Sequence, residues 1–425
     1  MATVKSNGFL KAFTNPYAPT RDLAESGYQF TGGNRGMSMA YGAGFIGLAV
    51  GIAGALASKE GMQQLYMAYL VGWTFCVAIA LGCLFFVIIQ HLTKAHWSVT
   101  VRRIAEAMAY SFPVLALMGI PILFGLHDIY EWTHTELFAD PEAPTYDYLI
   151  AGKRPYLNEP FFIGRMVFYF AIWSYLAYRL YTLSLRQDVE ADPTIPAQQR
   201  KVSAWGLPVY AVTLSFFSYD ALMSTYPHWF SSIFGVYYFT GGFFSALAFI
   251  ILAALFLQRR GQMLHNAINV EHYHDLGKFL FSFFAAFWAY IAFSQYMLIW
   301  YAGIPEETVW YRYRLSNGWE YHSYALIAFH FVLPFLILLP RAAKRTLTLL
   351  GIMAVWALFM NFFDLHYIVM PVLHAKYGVF DFTALGFTVG LFGIMTGLFI
   401  QRLRAHALVP YNDPRLAKSL HFENV

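Results

Sequence analysis

Glu106, Asp220 and Asp364 each fall inside a long apolar run, where a charge is hardest to hold. An ionised side chain at mid-bilayer costs about 2.5–3.5 kcal/mol on insertion scales, so such groups normally face a protein interior and mark proton or ion routes. The chemistry they offer is reversible protonation, because burial penalises the ionised form of an acid and spares the neutral one.

Asp220 precedes a Tyr-Pro-His-Trp corner in FSYDALMSTYPHWF. Ser224 lies one turn on and Thr213 two turns back, a thin polar stripe along an aromatic helix, and His228 stands just across the corner. Two roles are open to the acid: proton transfer, or a structural carboxylate that accepts hydrogen bonds from corner amides or from His228. In MNFFDLHYIVMP, Asn361, Asp364 and Tyr367 recur at threefold spacing and share a face, while His366 points elsewhere. That face suits proton transfer or contact with a quinone head, or else a buried polar cluster that fixes helix register. Glu106 follows Arg103 by three and Arg102 by four, which predicts a local ion pair; Tyr110, one turn deeper, would extend it into a proton-uptake route. His330, in the middle of ALIAFHFVLPF, is a relay member, a quinone partner or a satisfied core group. Tyr290 and Ser294 on one face, with Gln295 beside them, could line a cavity.

Other chemistries are excluded by spacing. Haem b needs facing histidines at matched depth, but His322 and His330, or His366 and His374, are eight apart and only His330 lies deep. Cys76 and Cys83 form no CxxC pattern and read as packing residues. There is no HExxH, Walker or GxSxG sequence.

The elements that must position these groups are membrane helices. The chain has 425 residues, 58% hydrophobic and only 12% charged, with a mean hydropathy of +0.47; soluble chains carry roughly 25% charge. Runs of about 20 apolar residues occur at 38–57, 65–90, 100–126, 161–185, 204–225, 228–258, 277–302, 322–340, 346–369 and 382–402. The fold expected is an all-α polytopic membrane protein of ten spans, 38–405, with polar segments 1–37 and 406–425 outside it. No short apolar stretch with a cleavage site follows the polar start, so the first span is read as the insertion signal.

Of 28 Lys and Arg residues, 21 fall on one side of this arrangement, which puts both termini in the cytoplasm and requires an even number of spans. The other side carries a long acidic loop, 127–160, with Asp128, Glu131, Glu136, Asp140, Glu142, Asp147 and Glu159, too long for a simple connection and expected to act as a lid or docking element. A second outer loop, GIPEETVWYRYRLSNGWEYH, interleaves aromatic and charged residues. Gly44, Gly47, Gly51 and Gly54 line the first span, and the Gly47–Gly51 pair predicts a close helix contact.

At FSYDALMSTYPHWFSSIFGVYYFTGG and FSQYMLIWYAGIPEETVWYRYR the chain resembles the NrfD/polysulfide-reductase-like membrane subunits, in particular the ActF-type subunits of bacterial alternative complex III. Length and span count agree over nearly the whole chain. The resemblance implies two four-helix bundles with two flanking helices, in the bacterial inner membrane. It also implies a place in a quinol:electron-acceptor oxidoreductase, with a sister ActC-type membrane subunit, an iron–sulfur subunit, haem c subunits and a terminal oxidase as partners. Haem c and iron–sulfur clusters would sit in those partners and none in this chain, and the clearer quinol site is expected in the sister subunit. By the same carry-over, Asp220, Pro227, His228 and Trp229 match the corner motif, and Tyr301, Glu306 and Glu307 the outer-loop motif, with Glu306 and Glu307 expected at a docking surface or proton exit. The competing expectations are a quinol site within this chain, a structural anchor, or a secondary transporter, for which Pro113, Pro121 and Pro334 would supply helix breaks.

Overall fold

The computed structural model describes residues 28–30, 32–259, 264–374, 378, 380–410 and 412–423. Most of the polar segment 1–37, with Lys5, Lys11 and Arg21, lies outside them, as does Arg260. The described residues are helical throughout the core and contain no strand. Ten long helices match the ten apolar runs: α1 Asn34–Ala57, α2 Met62–Leu92, α3 Val99–Phe124, α4 Glu159–Glu190, α5 Ile195–Ala221, α6 Phe234–Arg259, α7 Val270–Ala302, α8 Trp319–Leu338, α9 Leu347–Leu373 and α10 Phe382–Ala405. All but α5 are apolar enough over 18 residues to cross a bilayer on composition alone. α5 starts with the polar stretch IPAQQRK, yet its 27 residues rise about 40 Å, enough to span. The chain is a multi-pass, all-α membrane protein.

α2 and α6 form the centre, with 89% of the apolar stretch of each buried, against 22% in α1. They cross at a glycine pair: a Cβ on Gly82 would stand 2.1 Å from the Gly242 carbonyl oxygen. α3, α4 and α5 complete one bundle around α2; α7, α8 and α9 complete a second around α6. α1 and α10 flank the pair and pack mainly on one another. Their seam is the predicted glycine contact, with Gly44, Gly47 and Gly51 set against Gly386, Gly390 and Gly393. A Cβ on Gly47 would come 2.5 Å from the Gly390 nitrogen. Without a hydrophobic drive between helices in lipid, such close backbone approach supplies the packing.

Three helices are interrupted. α3 breaks after Ala109 and again at Gly119, and each new segment carries a proline as its second residue, Pro113 or Pro121, that lacks an N–H for the previous turn. α7 and α8 each contain a seven-residue π segment, Phe281–Phe287 and Leu326–Val332, and these touch one another. In α8, Pro334 cannot donate to the His330 carbonyl four residues back, which favours the wider turn.

The corner between α5 and α6 is longer than the sequence suggests: α6 starts at Phe234 rather than 228. Trp229 is buried there against Trp310, rings 4.4 Å apart and nearly parallel, and the Tyr219 hydroxyl donates to the Ser232 carbonyl at 2.6 Å, so residues 228–233 stay outside the helix. The acidic loop folds over this end of the first bundle. Its Tyr130 is buried and donates to the Ala221 carbonyl at 3.0 Å. At the opposite, basic face, the tail docks through the short helix Leu416–Leu420, with Ser419 donating to the Trp97 carbonyl at 2.8 Å.

Candidate functional site

At the corner face Asp220 is fully buried near the end of α5. Arg165 of α4 grips it through two parallel bonds, Nε to Oδ2 at 2.8 Å and Nη2 to Oδ1 at 2.9 Å, and the Tyr169 hydroxyl donates to Oδ2 at 2.8 Å. Arg165 and Tyr169 are four residues apart, so one face of α4 presents both. The guanidinium also donates to the Tyr156 carbonyl at 2.9 Å and lies over the Tyr156 and Phe161 rings. Asp220 is therefore a buried carboxylate with a bidentate counter-ion, the strongest geometry for such a pair.

The polar stripe divides among separate partners. Ser224 donates to the backbone carbonyl of Asp220, and Thr213 accepts from Trp173 Nε1 at 2.9 Å. His228 pairs instead with the acidic loop: its Nε2 lies 2.5 Å from Asp147 Oδ2, and Asp147 also caps the helix Tyr148–Lys153. Burial would raise the Asp147 carboxyl, but His228 and the cap amides outweigh it and hold the group below its usual range. Lys153, at the end of that helix, donates to the Pro227 carbonyl at 2.5 Å. Loop and corner are thereby clamped together.

The second bundle holds a different arrangement, one residue from each of its helices. Asp364 of α9 is buried and accepts from two neutral donors: the Tyr237 hydroxyl of α6 at 2.5 Å, and Trp288 Nε1 of α7 at 3.2 Å. No cation pairs with it among the described residues. The Trp288 ring stacks on His330 of α8, centroids 3.7 Å apart and 17° from parallel. His330 is fully buried, closed in by Phe244 and Phe284, and among the described residues neither ring nitrogen makes a hydrogen bond. Trp288 is the first residue after the π segment of α7, and His330 lies within that of α8. Such segments re-aim side chains at functional sites.

Asn361, one turn before Asp364, faces the same helix α6, its Oδ1 2.7 Å from where a Cβ on Gly241 would be; its Nδ2 has no hydrogen-bond partner among the described residues. Tyr367, one turn on, bonds Ser323 of α8 at 2.8 Å. The Tyr367 and Ile368 carbonyls accept from Arg314 at 3.1 and 2.6 Å, and the guanidinium lies 3.6 Å over the Trp310 ring. Burial pushes Arg314 down to about 10, so it stays charged at neutral pH, held by carbonyls and a ring rather than by an acid.

At the basic face Glu106 forms the expected local pairs, 3.0 Å to Arg102 and 3.3 Å to Arg103, within a larger buried network. Arg103 is bidentate to Asp188 of α4, and Arg102 reaches Asp413 of the tail at 2.7 Å. Burial opposes the charge on Asp413, yet Arg102 and Arg415 together hold its carboxyl well below the ordinary range. Tyr110 is not hydrogen-bonded into this network; it lies under the Arg402 guanidinium at 3.9 Å and against Tyr181.

Glu306 and Glu307 occupy the first turn of the helix Pro305–Arg314, where acids suit the helix dipole. Glu306 is exposed and Glu307 half-buried, and Tyr301 projects at the end of α7 with 86% of its surface free. Tyr290 is exposed too, Ser294 is half-buried, and buried Gln295 donates to the Tyr311 hydroxyl at 3.2 Å. Tyr311 backs a cleft of about 580 Å³ between α7 and this helix, with Tyr296 and Trp300 among its walls.

Sequence reasoning missed Arg165, Tyr169, Tyr237, Trp288, Arg314 and Asp188. For Arg165 a signal existed: an arginine at the loop end of one apolar run, at the depth of an aspartate in the next. Tyr237 and Trp288 carry no such mark in an aromatic-rich chain. No model of a known protein family matches the chain, and no curated protein matches it significantly.

Proposed function

We propose that this chain is the proton-handling membrane subunit of a quinol:electron-acceptor oxidoreductase, with the basic face in the cytoplasm. One observation carries the reading: among the described residues Asp364 lies inside the second bundle between neutral donors only, beside a buried histidine whose ring nitrogens make no hydrogen bond. A carboxyl without a counter-ion can take and give a proton without breaking an ion pair, whereas Asp220, fixed to Arg165, cannot. Orphaned nitrogens on His330 call for water, which would link the column to the Asn361 amide. Quinol oxidation releases two protons with its electrons, so a subunit beside that reaction needs such groups in the membrane. The iron–sulfur and haem c chemistry belongs to partner subunits, with a sister membrane subunit alongside. The exposed Tyr301 and Glu306 and the half-buried Glu307 are suited to docking them.

The test is Asp364→Asn in the assembled complex, reconstituted into vesicles. Quinol-driven proton movement should fall at least tenfold with assembly intact. Normal proton movement at normal electron flux would remove Asp364 from the path and leave a membrane anchor. A second reading, a quinol bound by this chain itself, is favoured by the cleft of about 580 Å³. Its residues fit: Tyr296 and Trp300 would hold a ring, and the Tyr311 hydroxyl could bond a quinol oxygen. A photoactivatable quinone labelling this cleft would support it.

A further inference from the structure

Arg314 is buried at the end of the helix Pro305–Arg314, and among the described residues no carboxylate pairs with it. A guanidinium taken out of water without a counter-ion is costly, so its other partners must account for it. Those partners are backbone carbonyls, and one of them lacks the donor that a helix would supply. The Tyr367 carbonyl should accept from the residue four on, but that residue is Pro371, inside α9, which has no N–H. A carbonyl left bare within the membrane costs several kcal/mol. Arg314 Nε takes the vacant place at 3.1 Å, and Nη2 reaches the adjoining Ile368 carbonyl at 2.6 Å. Two neighbouring carbonyls suit a rigid planar fork, which a lysine lacks.

This bond is one side of a closed circuit. Ser323 of α8 has a single hydroxyl hydrogen, which it gives to the Arg314 carbonyl at 2.9 Å; its oxygen then accepts from the Tyr367 hydroxyl at 2.8 Å. The helix Pro305–Arg314, α8 and α9 are thereby joined at one point. Gln295 ties α7 to the same helix through Tyr311, and Trp310, 3.6 Å from the guanidinium, stacks on Trp229 of the corner. Tyr367 stands one turn from Asp364 on the same face, and Tyr237, which donates to Asp364, lies close enough to interact with the Arg314 charge.

We propose that Arg314 is a positioning residue for Asp364: standing in for the N–H that Pro371 lacks, it fixes the C-terminal end of α9 and with it the aim of the carboxyl at Tyr237 and Trp288. The role rests on the proton-handling reading of Asp364.

The assembled complex, reconstituted into vesicles, would carry Arg314→Met, Pro371→Ala or both. Arg314→Met should speed amide exchange across 365–374 about tenfold or more, as for one charge-assisted hydrogen bond lost, and lower the protons moved per electron with assembly intact. Pro371→Ala returns an N–H to the Tyr367 carbonyl, so the double variant should recover both quantities to within about threefold of the parent. Parent-like exchange in Arg314→Met would overturn the proposal, as would a double variant no better than Arg314→Met. If Arg314→Met does not fold, the double variant decides: a restored fold supports the role and continued misfolding overturns it. The two readings fail separately, since normal proton movement in Asp364→Asn defeats the proton-handling reading, whereas parent-like exchange in Arg314→Met defeats this one alone.

Discussion

The pair between Arg165 and Asp220 sets the sharpest stability test. Both side chains are at least 90% buried, the contact is bidentate, and Tyr169 occupies a further acceptor position on the carboxylate. Removing one member strands the other, at a cost of about 3–5 kcal/mol, whereas replacing both with apolar groups of similar volume costs little or even stabilises. Asp220→Asn should fall near the lower end, since its amide oxygen can still accept from Arg165; Arg165→Met should fall near the upper, since only Tyr169 remains for the carboxylate. Arg165→Met with Asp220→Leu should return to within about 1–2 kcal/mol of the parent; with Asp220→Leu alone also costing about 3–5 kcal/mol, the cycle of these three variants gives a coupling of about 4 kcal/mol or more. The assay is reversible unfolding in mixed micelles, followed by the fluorescence of the 11 tryptophans. Single variants that each cost under about 1 kcal/mol, with a strictly additive double variant, would refute the lock and return Asp220 to the candidates for proton transfer.

His330→Phe should leave stability unchanged or raise it by about 1 kcal/mol, because two unpartnered ring nitrogens leave a buried site, yet it should slow coupled proton movement; unfolding and vesicle acidification read the two effects separately. Gly82→Ala should block the α2–α6 crossing and sharply lower the yield of monodisperse protein, while Gly42→Ala, with open space around it, should elute as the parent does. Asp413 has a folded-state pKa below that of the free side chain, so the stability it gives is present above about pH 4 and lost as pH falls through the lower value. Proteolysis of the tail should therefore be constant from about pH 5 to pH 8 and rise only in stronger acid; Asp413→Asn should release the tail at neutral pH.

Much of the architecture could be read from local pattern. Apolar run length placed ten helices, and the glycines of α1 announced a tight seam whose partner proved to be α10. Glu106 was legible because its arginines are on the same helix, at spacings that helical geometry decides. The surroundings of Asp220 and Asp364 were not, because those partners lie 55 and 127 residues away or more remotely oriented on other helices. Hydropathy treats both acids alike; only packing supplies one with a cation and the other with a phenol and an indole. The destination of His228 was hidden for the same reason, since Asp147 reaches it from a loop whose fold has no simple period. The later start of α6 follows from Trp229, which is anchored to Trp310 in a distant segment.

The π segments of α7 and α8 meet at one depth, and this divides the molecule mechanically. Each wide turn has one residue of slack: sliding it along a helix would rotate the side chains passed by about 100° while leaving the rest of the backbone in place. The first bundle is cross-tied by ion pairs at both ends and, among its described residues, breaks only in α3, with no π segment, so the half with Trp288 and His330 is the half whose helices can swivel. Slow amide exchange throughout α2–α5, with faster exchange confined to 281–287 and 326–332, is the signature such a hinged pairing would leave.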